Sequence, residues 1–442
     1  MVKLFLDGLD RVLLSRSIPL RHRFAQRLSP WLIRYIGKER FQEVMRYVGQ
    51  KSPFYRERFR KFNIDPNLVS DPAQLGALFT TAEDLRHFPP EEFLCDRPEM
   101  AFETTGTTAK SKRVYFSNKE VEEQSLDGAV GFYALGLRPE DRVVSAFDYS
   151  FWNAPVTFSA IIARMRCFHV IAAKIPPDEF YDRVLDYRFN VIAGQPSWIL
   201  CLTEIAEKKG TWPMKFIFTG GENMSEQTRQ YIESVWNTNV YMSYGQTEAF
   251  GSIGTECKAK NGYHMNDVNL IPEIINPDKE GYGELVYTTI TRKVMPFIRY
   301  RSADITKIID EPCGCEFGPL RRLARIRGRC DEMVNCGMGN ISPWFIEEIL
   351  RGIPGLADDW QVAIKRPTNR DLAEFRLELQ EGADQELVTR CLKENIERRQ
   401  PECWRDFNLR LFDMSFHYYP RGVLRGARKL RRVVDERWNL LS

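Results

Sequence analysis

The spacing of apolar residues changes character along the chain. Up to about residue 95 the apolar positions recur at helical spacing: Phe41, Val44, Met45 and Val48 share one face. Ser52-Pro53 breaks that pattern, and a basic stretch over 55–62 resumes it. Residues 63–72 are rich in Asp, Asn and Pro and predict a loop. Farther on, short β-rich runs at 142–147, 167–173, 190–193, 215–219 and 239–243 alternate with helical patterns at 178–187, 197–209 and 225–236. Such alternation predicts a parallel sheet covered by helices, an α/β architecture. Runs at 283–291 and 294–300 predict antiparallel strands, and residues 330–442 read as a separate α+β portion after Arg327-Gly328-Arg329. The expected organisation is a helical extension over 1–40, a large domain over 41–329 and a small domain over 330–442.

Composition narrows the function classes. A chain of 442 residues, 43% hydrophobic and 28% charged, is long enough for two cores and ordinary for a soluble protein. A net charge of +3 gives no electrostatic reason for a nucleic-acid partner. No apolar run approaches the roughly eighteen residues of a membrane span. Lys3, Asp7, Asp10 and Arg11 interrupt the apolar start, which makes a poor secretory signal, so the cytoplasm is expected. Of the ten cysteines, Cys95, Cys167, Cys201, Cys391 and Cys403 are scattered singly, Cys330 and Cys336 sit close together, and Cys257 groups with Cys313 and Cys315.

The stretch Thr104-Thr105-Gly106-Thr107-Thr108-Ala109-Lys110-Ser111-Lys112 surrounds a glycine with hydroxyl groups and ends in two lysines. Backbone N–H groups, short hydroxyls and a cation are what a polyphosphate requires. The Gly-Lys-Ser/Thr ending of a Walker loop is missing. Further polar patches follow at Gly220-Gly221-Glu222, Tyr244-Gly245-Gln246-Thr247-Glu248, Tyr300-Arg301-Ser302-Ala303-Asp304, Gly328-Arg329-Cys330-Asp331 and Lys429. Each alone is an ordinary turn, bend or solvated basic face.

Taken in this order, the patches resemble the adenylate-forming superfamily, most closely its phenylacetate–coenzyme A ligase branch, from about residue 40 to the end. Ser52-Pro53-Phe54-Tyr55 and Phe79-Thr80-Thr81-Ala82-Glu83 are similar to that branch's entry segment. The resemblance implies the adenylate-forming fold, a large domain of layered sheets and helices with a small mobile C-terminal domain. It also implies an ATP-dependent two-step reaction, in which a small carboxylic acid becomes an acyl-adenylate and the acyl group then moves to a thiol. On the matching positions, Thr104, Thr105, Gly106, Thr107, Thr108 and Lys110 would wrap the phosphates. Gly220, Gly221, Glu222, Tyr244, Gly245 and Gln246 would border adenine. Thr247 and Glu248 would hold Mg²⁺, Asp304 and Arg329 would meet the ribose, Asp331 would be the hinge, and Lys429 would bridge carboxylate and α-phosphate. Tyr149, Phe151, Trp152 and Ser197 would surround the acid, for which an aryl or arylacetic acid is the expectation.

The acceptor is coenzyme A or a carrier protein's phosphopantetheine, and a homodimer stays open. Two departures motivate a second reading, a nucleotide-binding homologue that has lost catalysis: Ala109 replaces a usual glycine, and four extra residues displace Lys429 from the family's spacing, which leaves Arg425 and Arg428 as rivals; the retained Thr247, Glu248, Asp304 and Arg329 favour the ligase. Ala303 also replaces a frequent glycine. Finally, Cys257, His264, Cys313 and Cys315 offer three thiolates and an imidazole, a closed tetrahedral set for structural Zn²⁺. Two unrelated pairs are the alternative; the branch's similar Glu-Cys, Gly-x-His and Pro-Cys-x-Cys text favours zinc.

Overall fold

The structure is a computed structural model that describes residues 17–104, 112–330, 333–336, 338–367, 370–425 and 430–437. The chain divides into two compact units. The first holds the described residues up to Ser302 together with Thr306–Arg325; the second holds Ala303–Ile305 and the described residues from Ile326. Arg327, Gly328 and Arg329, placed by the sequence pattern at the end of the large part, belong to the second unit.

In the first unit, helices Ile18–Ala25, Pro30–Lys51 and Pro53–Lys61 open the chain. Phe41, Val44, Met45 and Val48 are all buried, as their helical spacing requires. Ser52 ends one helix and caps the next, since its hydroxyl accepts from the Tyr55 N–H while donating to the Glu92 carbonyl 2.7 Å away. Strands β1 (Met100–Thr104) and β2 (Lys112–Phe116) pair antiparallel, with Thr104 opposite Lys112.

The centre is a mixed sheet. Strands β3 (Arg142–Ala146), β4 (Phe168–Ile171), β5 (Val191–Gly194), β6 (Phe216–Gly220) and β7 (Asn239–Gln246) run parallel in the order β4-β3-β5-β6-β7. β8 (Gly251–Glu256) and β9 (Tyr263–Met265) continue it antiparallel. Val143, Val144, Val191, Ile192, Phe216 and Ile217 are buried on successive positions because helices cover both faces. After β3 the chain crosses outward to β4 and then back to β5, so strand order reverses there. Crevices for ligands form outside the carboxyl ends of strands at such a reversal.

β10 (Leu270–Ile275), β11 (Gly283–Thr289) and β12 (Tyr300–Thr306) make a second sheet, and β13 (Ile308–Ile309) and β14 (Arg322–Leu323) extend the first one past β9. The strand expected over 294–300 does not form; only Tyr300 is extended, as the first residue of β12. Pro296 has no N–H for a ladder, and Arg299 sits at φ 47, outside the strand region.

In the second unit, β15 (Val334–Cys336) and β16 (Gly339–Ile341) form a hairpin. β17 (Leu356–Lys365), β18 (Leu372–Leu379), β19 (Asp413–Pro420) and β20 (Val433–Asp435) form a sheet in the order β19-β18-β17-β20. Helices Pro343–Leu350 and Gln385–Arg399 cover it, burying Ile346, Ile349, Val388 and Leu392 against Val362, Phe375 and Leu377.

Candidate active site

The carboxyl ends of β6 and β7 gather most of the expected groups of the first unit. β6 ends on Gly220, and Gly221 follows at φ 83, where a Cβ would lie 2.7 Å from the Trp152 ring. Glycine alone permits that approach. Glu222 accepts from the Gln195 amide at 3.2 Å and from the Ser197 N–H at 3.1 Å. Ser197 therefore holds Glu222 at the start of helix Pro196–Lys209 and is not among the residues lining the large cavity described below. At the end of β7 the ladder with β8 slips between Tyr244 and Gly245. A side chain on Gly245 would meet the Gly251 carbonyl oxygen at 2.0 Å. The Gln246 amide is fixed at both ends: it accepts from the Tyr287 hydroxyl at 3.0 Å and donates to the Ser302 carbonyl at 3.1 Å.

The helical turn Thr247–Ala249 then buries Thr247 and Glu248, the latter 2% exposed. Lys112 Nζ donates to Glu248 Oε1 at 2.5 Å, and the Tyr300 hydroxyl donates to the same oxygen at 2.8 Å. Burial alone would raise this carboxyl group's pKa, but the Lys112 charge and the two hydrogen bonds hold it below the ordinary range. Glu248 is thus an ionised carboxylate in a dry place. Neither Lys112 nor Tyr300 was assigned a role from the sequence. Lys112 closes the hydroxyl-rich stretch and Tyr300 opens the Tyr-Arg-x-x-Asp patch, so the signal was their membership of those motifs. Thr104, beside Lys112, has a buried hydroxyl with no hydrogen-bond partner among the described residues. Thr105, Gly106, Thr107, Thr108 and Lys110 lie outside the described residues.

The second unit holds the pair expected at the ribose. Arg329 Nη1 lies 3.1 Å from the buried Asp304 carboxylate, and the two residues form an isolated antiparallel bridge. Ala303 has φ 64, the left-handed region that glycine would occupy without strain. Asp331, Arg428 and Lys429 lie outside the described residues. Arg425 is engaged by Asp359, its Nε 2.6 Å from the carboxylate.

Within the first unit, a cavity of about 380 Å³ opens beside Gly220, Gly221 and Thr247 and is walled by Phe132, Phe158 and Phe218. Trp152 lines it. The other aromatic residues expected around the acid do not. The Tyr149 hydroxyl is tied to the Pro155 carbonyl and to Ser159, and Phe151 is 71% exposed. Both precede the buried start of helix Ala154–Met165, so their side chains leave the core.

The Cys257, His264, Cys313 and Cys315 ligand atoms all lie within 4.8 Å of one another. Cys257 and Cys313 sulfurs are 3.6 Å apart, against about 3.8 Å for two thiolates at 2.3 Å from a tetrahedral zinc. His264 Nε2 is 3.1 Å from the Cys315 sulfur, while Nδ1 faces the Leu320 carbonyl at 3.1 Å. That outer contact fixes the ring and turns Nε2 inward. The Cys257 thiol is held down to about 3, first by the Cys315 S–H, while Cys257 first and burial second push Cys315 up. The thiols compete for one negative charge, a competition that a divalent cation among them would remove.

Residues 68–276 match the family model described as AMP-binding enzyme. The phenylacetate–coenzyme A ligase of Thermus thermophilus is 27% identical over 383 residues, 82% of this chain and 85% of that protein. The enzyme of the same name from Escherichia coli is 24% identical, covering 78% of this chain and 82% of its own. Among solved structures, a 2-hydroxyisobutyryl-CoA ligase in the postadenylation state superposes with TM-score 0.74 at 21% identity, over 93% of this chain and 91% of that one. The O-succinylbenzoate coenzyme A synthetase of Bacillus subtilis, in complex with ATP and magnesium ion, gives 0.55 at 17% identity over 75% and 68%. Among the described residues no helix is long and apolar enough to cross a membrane. The chain thus carries the AMP-binding enzyme pattern over residues 68–276 and is similar along about four-fifths of its length to phenylacetate–coenzyme A ligases.

Proposed function

We propose that the protein activates a carboxylic acid with ATP and passes the acyl group to the thiol of coenzyme A. A carboxylate oxygen attacks the α-phosphorus and the bond to pyrophosphate breaks. The thiol sulfur then attacks the acyl carbon, and AMP leaves. The observation that carries this reading is Glu248, an ionised carboxylate buried with Thr247 at the carboxyl ends of β6 and β7, beside a cavity walled by glycine backbone.

The residues have separate tasks. Gly220 and Gly221 offer backbone without side chains, where a flat base can approach, and Tyr244 follows on β7. The Thr104 hydroxyl and Lys112 supply a donor and a cation for phosphate. Asp304 accepts from vicinal ribose hydroxyls, held in place by Arg329. Glu248 and Thr247 would hold Mg²⁺, a hard ion suited to carboxylate and hydroxyl oxygen, which screens the charge gathering at phosphorus. Glu248 would then face that ion as well as the Lys112 ammonium. Lys429 is the cation for the carboxylate–phosphate encounter. Cys257, His264, Cys313 and Cys315 would hold a structural Zn²⁺, which would tie β8 and β9, next in the chain after Glu248, to residues 313–315. A reducing compartment, the cytoplasm, keeps such thiols available.

A carrier protein's phosphopantetheine arm offers the same thiol; the activities of the relatives favour free coenzyme A. The test is ATP–pyrophosphate exchange over a panel of acids, followed by AMP release with coenzyme A. Exchange with at least one acid and coenzyme A-dependent AMP release are expected. ATP binding without exchange for any acid would instead favour a nucleotide-binding protein that has lost catalysis.

A further inference from the structure

A broad side of helix Asn118–Leu135 borders the cavity from Gln124 to Leu135, with Gly128, Val130, Gly131 and Phe132 between them. At 1.5 Å per residue, the stretch from 124 to 135 is about 16 Å long. An extended hydrocarbon chain with bonds of about 1.5 Å near the tetrahedral angle advances about 1.25 Å per carbon, so roughly twelve carbons match that length. A phenyl ring on one methylene covers about 7 Å by the same spacing and would leave more than half of it empty. The lining is apolar where Phe132, Phe158, Phe218 and Ile161 meet it. Gly131 opens into it, for a Cβ there would meet only Phe317, at 3.8 Å.

Two further observations give the cavity a head and a wall. Asn153 is 1% exposed, lines the cavity, and its amide Nδ2 has no hydrogen-bond partner among the described residues. It lies 3.7 Å from where a Cβ on Gly251 would stand, next to the turn that carries Thr247 and Glu248. A buried donor left open at that place suits an acyl oxygen. The wall includes helix Ile18–Ala25, from the segment preceding the family-like region. Arg21 and His22 line the cavity and anchor the helix, Arg21 to Asp127 at 3.0 Å and His22 to the Glu316 carbonyl at 2.9 Å.

We propose that the acid this chain activates is an extended alkyl carboxylic acid of about ten to fourteen carbons, its acyl oxygen met by Asn153 and its tail lying along Gly131 under helix Ile18–Ala25. The proposal rests on the acid-activating reading above and names its substrate class. The experiment compares saturated acids from butyrate to hexadecanoate, with phenylacetate alongside, in the pyrophosphate assay of the full chain. In parallel, dodecanoate binding without ATP is read by calorimetry. We expect kcat/KM to rise about fourfold per added methylene up to about twelve carbons and then level. Gly131→Leu should lower the dodecanoate-to-butyrate ratio of kcat/KM about a hundredfold. Gly131→Ala, which favours the helix, is the folding control and should change the ratio little. Asn153→Ala should weaken all acids alike, leaving the chain-length slope intact.

Phenylacetate turnover with neither binding nor turnover of dodecanoate overturns the proposal and leaves the ligase reading standing. A Gly131→Leu ratio equal to the parent's also overturns it. Saturable dodecanoate binding that Gly131→Leu abolishes, with no acid turned over, supports the ligand class and removes the ligase reading.

Discussion

Replacing Lys112 by methionine removes the cation that neutralises Glu248 while keeping an apolar stem of similar length. The carboxylate, 2% exposed, is then left with the Tyr300 hydroxyl at 2.8 Å. Removing one partner of a buried ion pair costs about 3–5 kcal/mol. The pH dependence should invert. In the parent, burial is outweighed by Lys112 and the hydrogen bonds, and the folded-state pKa is lowered. That stabilisation is complete above the unfolded carboxylate range and is lost as pH falls through the folded value. In the variant burial dominates, the folded pKa rises, and stability declines as pH increases past the unfolded carboxylate range.

The assay is urea unfolding of parent and variant at about pH 5 and about pH 8, followed by tryptophan fluorescence. The loss should approach 3–5 kcal/mol at the higher pH and shrink at the lower one. Adding Glu248→Gln to Lys112→Met should recover most of it, because no charge is then stranded. Mg²⁺ with ATP should raise the variant's midpoint more than the parent's, since the ion supplies the missing charge. Equal midpoints for parent and variant, with parallel pH profiles, would refute the reasoning.

Three other outcomes are expected. Purified protein should carry about one equivalent of zinc, with Cys257→Ser or a strong chelator lowering both the zinc content and the melting temperature; less than half an equivalent and a normal Cys257→Ser would count against the site. Ala303→Gly should be neutral or stabilising by up to ~1 kcal/mol, because relief of the left-handed strain exceeds the entropy that glycine loses on folding; a clear loss of stability would mean that Ala303 is not held at φ 64. Lys429→Ala should abolish pyrophosphate exchange while leaving thioester formation from a supplied acyl-adenylate nearly intact, and equal loss of both steps would remove its bridging role.

Local chemistry was readable from the sequence wherever it depends on residues close in the chain. The apolar runs that became β3 to β7 announced themselves because a strand covered on both faces needs apolar residues at consecutive positions. The run over 294–300 looked equally strand-like and failed, since its apolar residues are buried in a segment carrying Pro296 and the positive φ of Arg299. Of the aromatic cluster 147–152, Phe147 and Trp152 line the cavity. Which way each of those rings points is set by where helix Ala154–Met165 begins, and that is a matter of packing.

The sequence by itself determined the alternation of strands and helices, the order of the glycine-, hydroxyl- and charge-bearing patches, and the set of three thiols and an imidazole. Each of these is encoded in residue type and short spacing, which bias the backbone before any tertiary contact exists. Only the tertiary structure decided that Lys112 meets Glu248 across 136 positions of chain, that Ser197 holds Glu222, and that helix Ile18–Ala25 walls the cavity. Those pairings depend on how distant segments are brought together, and short-range pattern carries no record of that path.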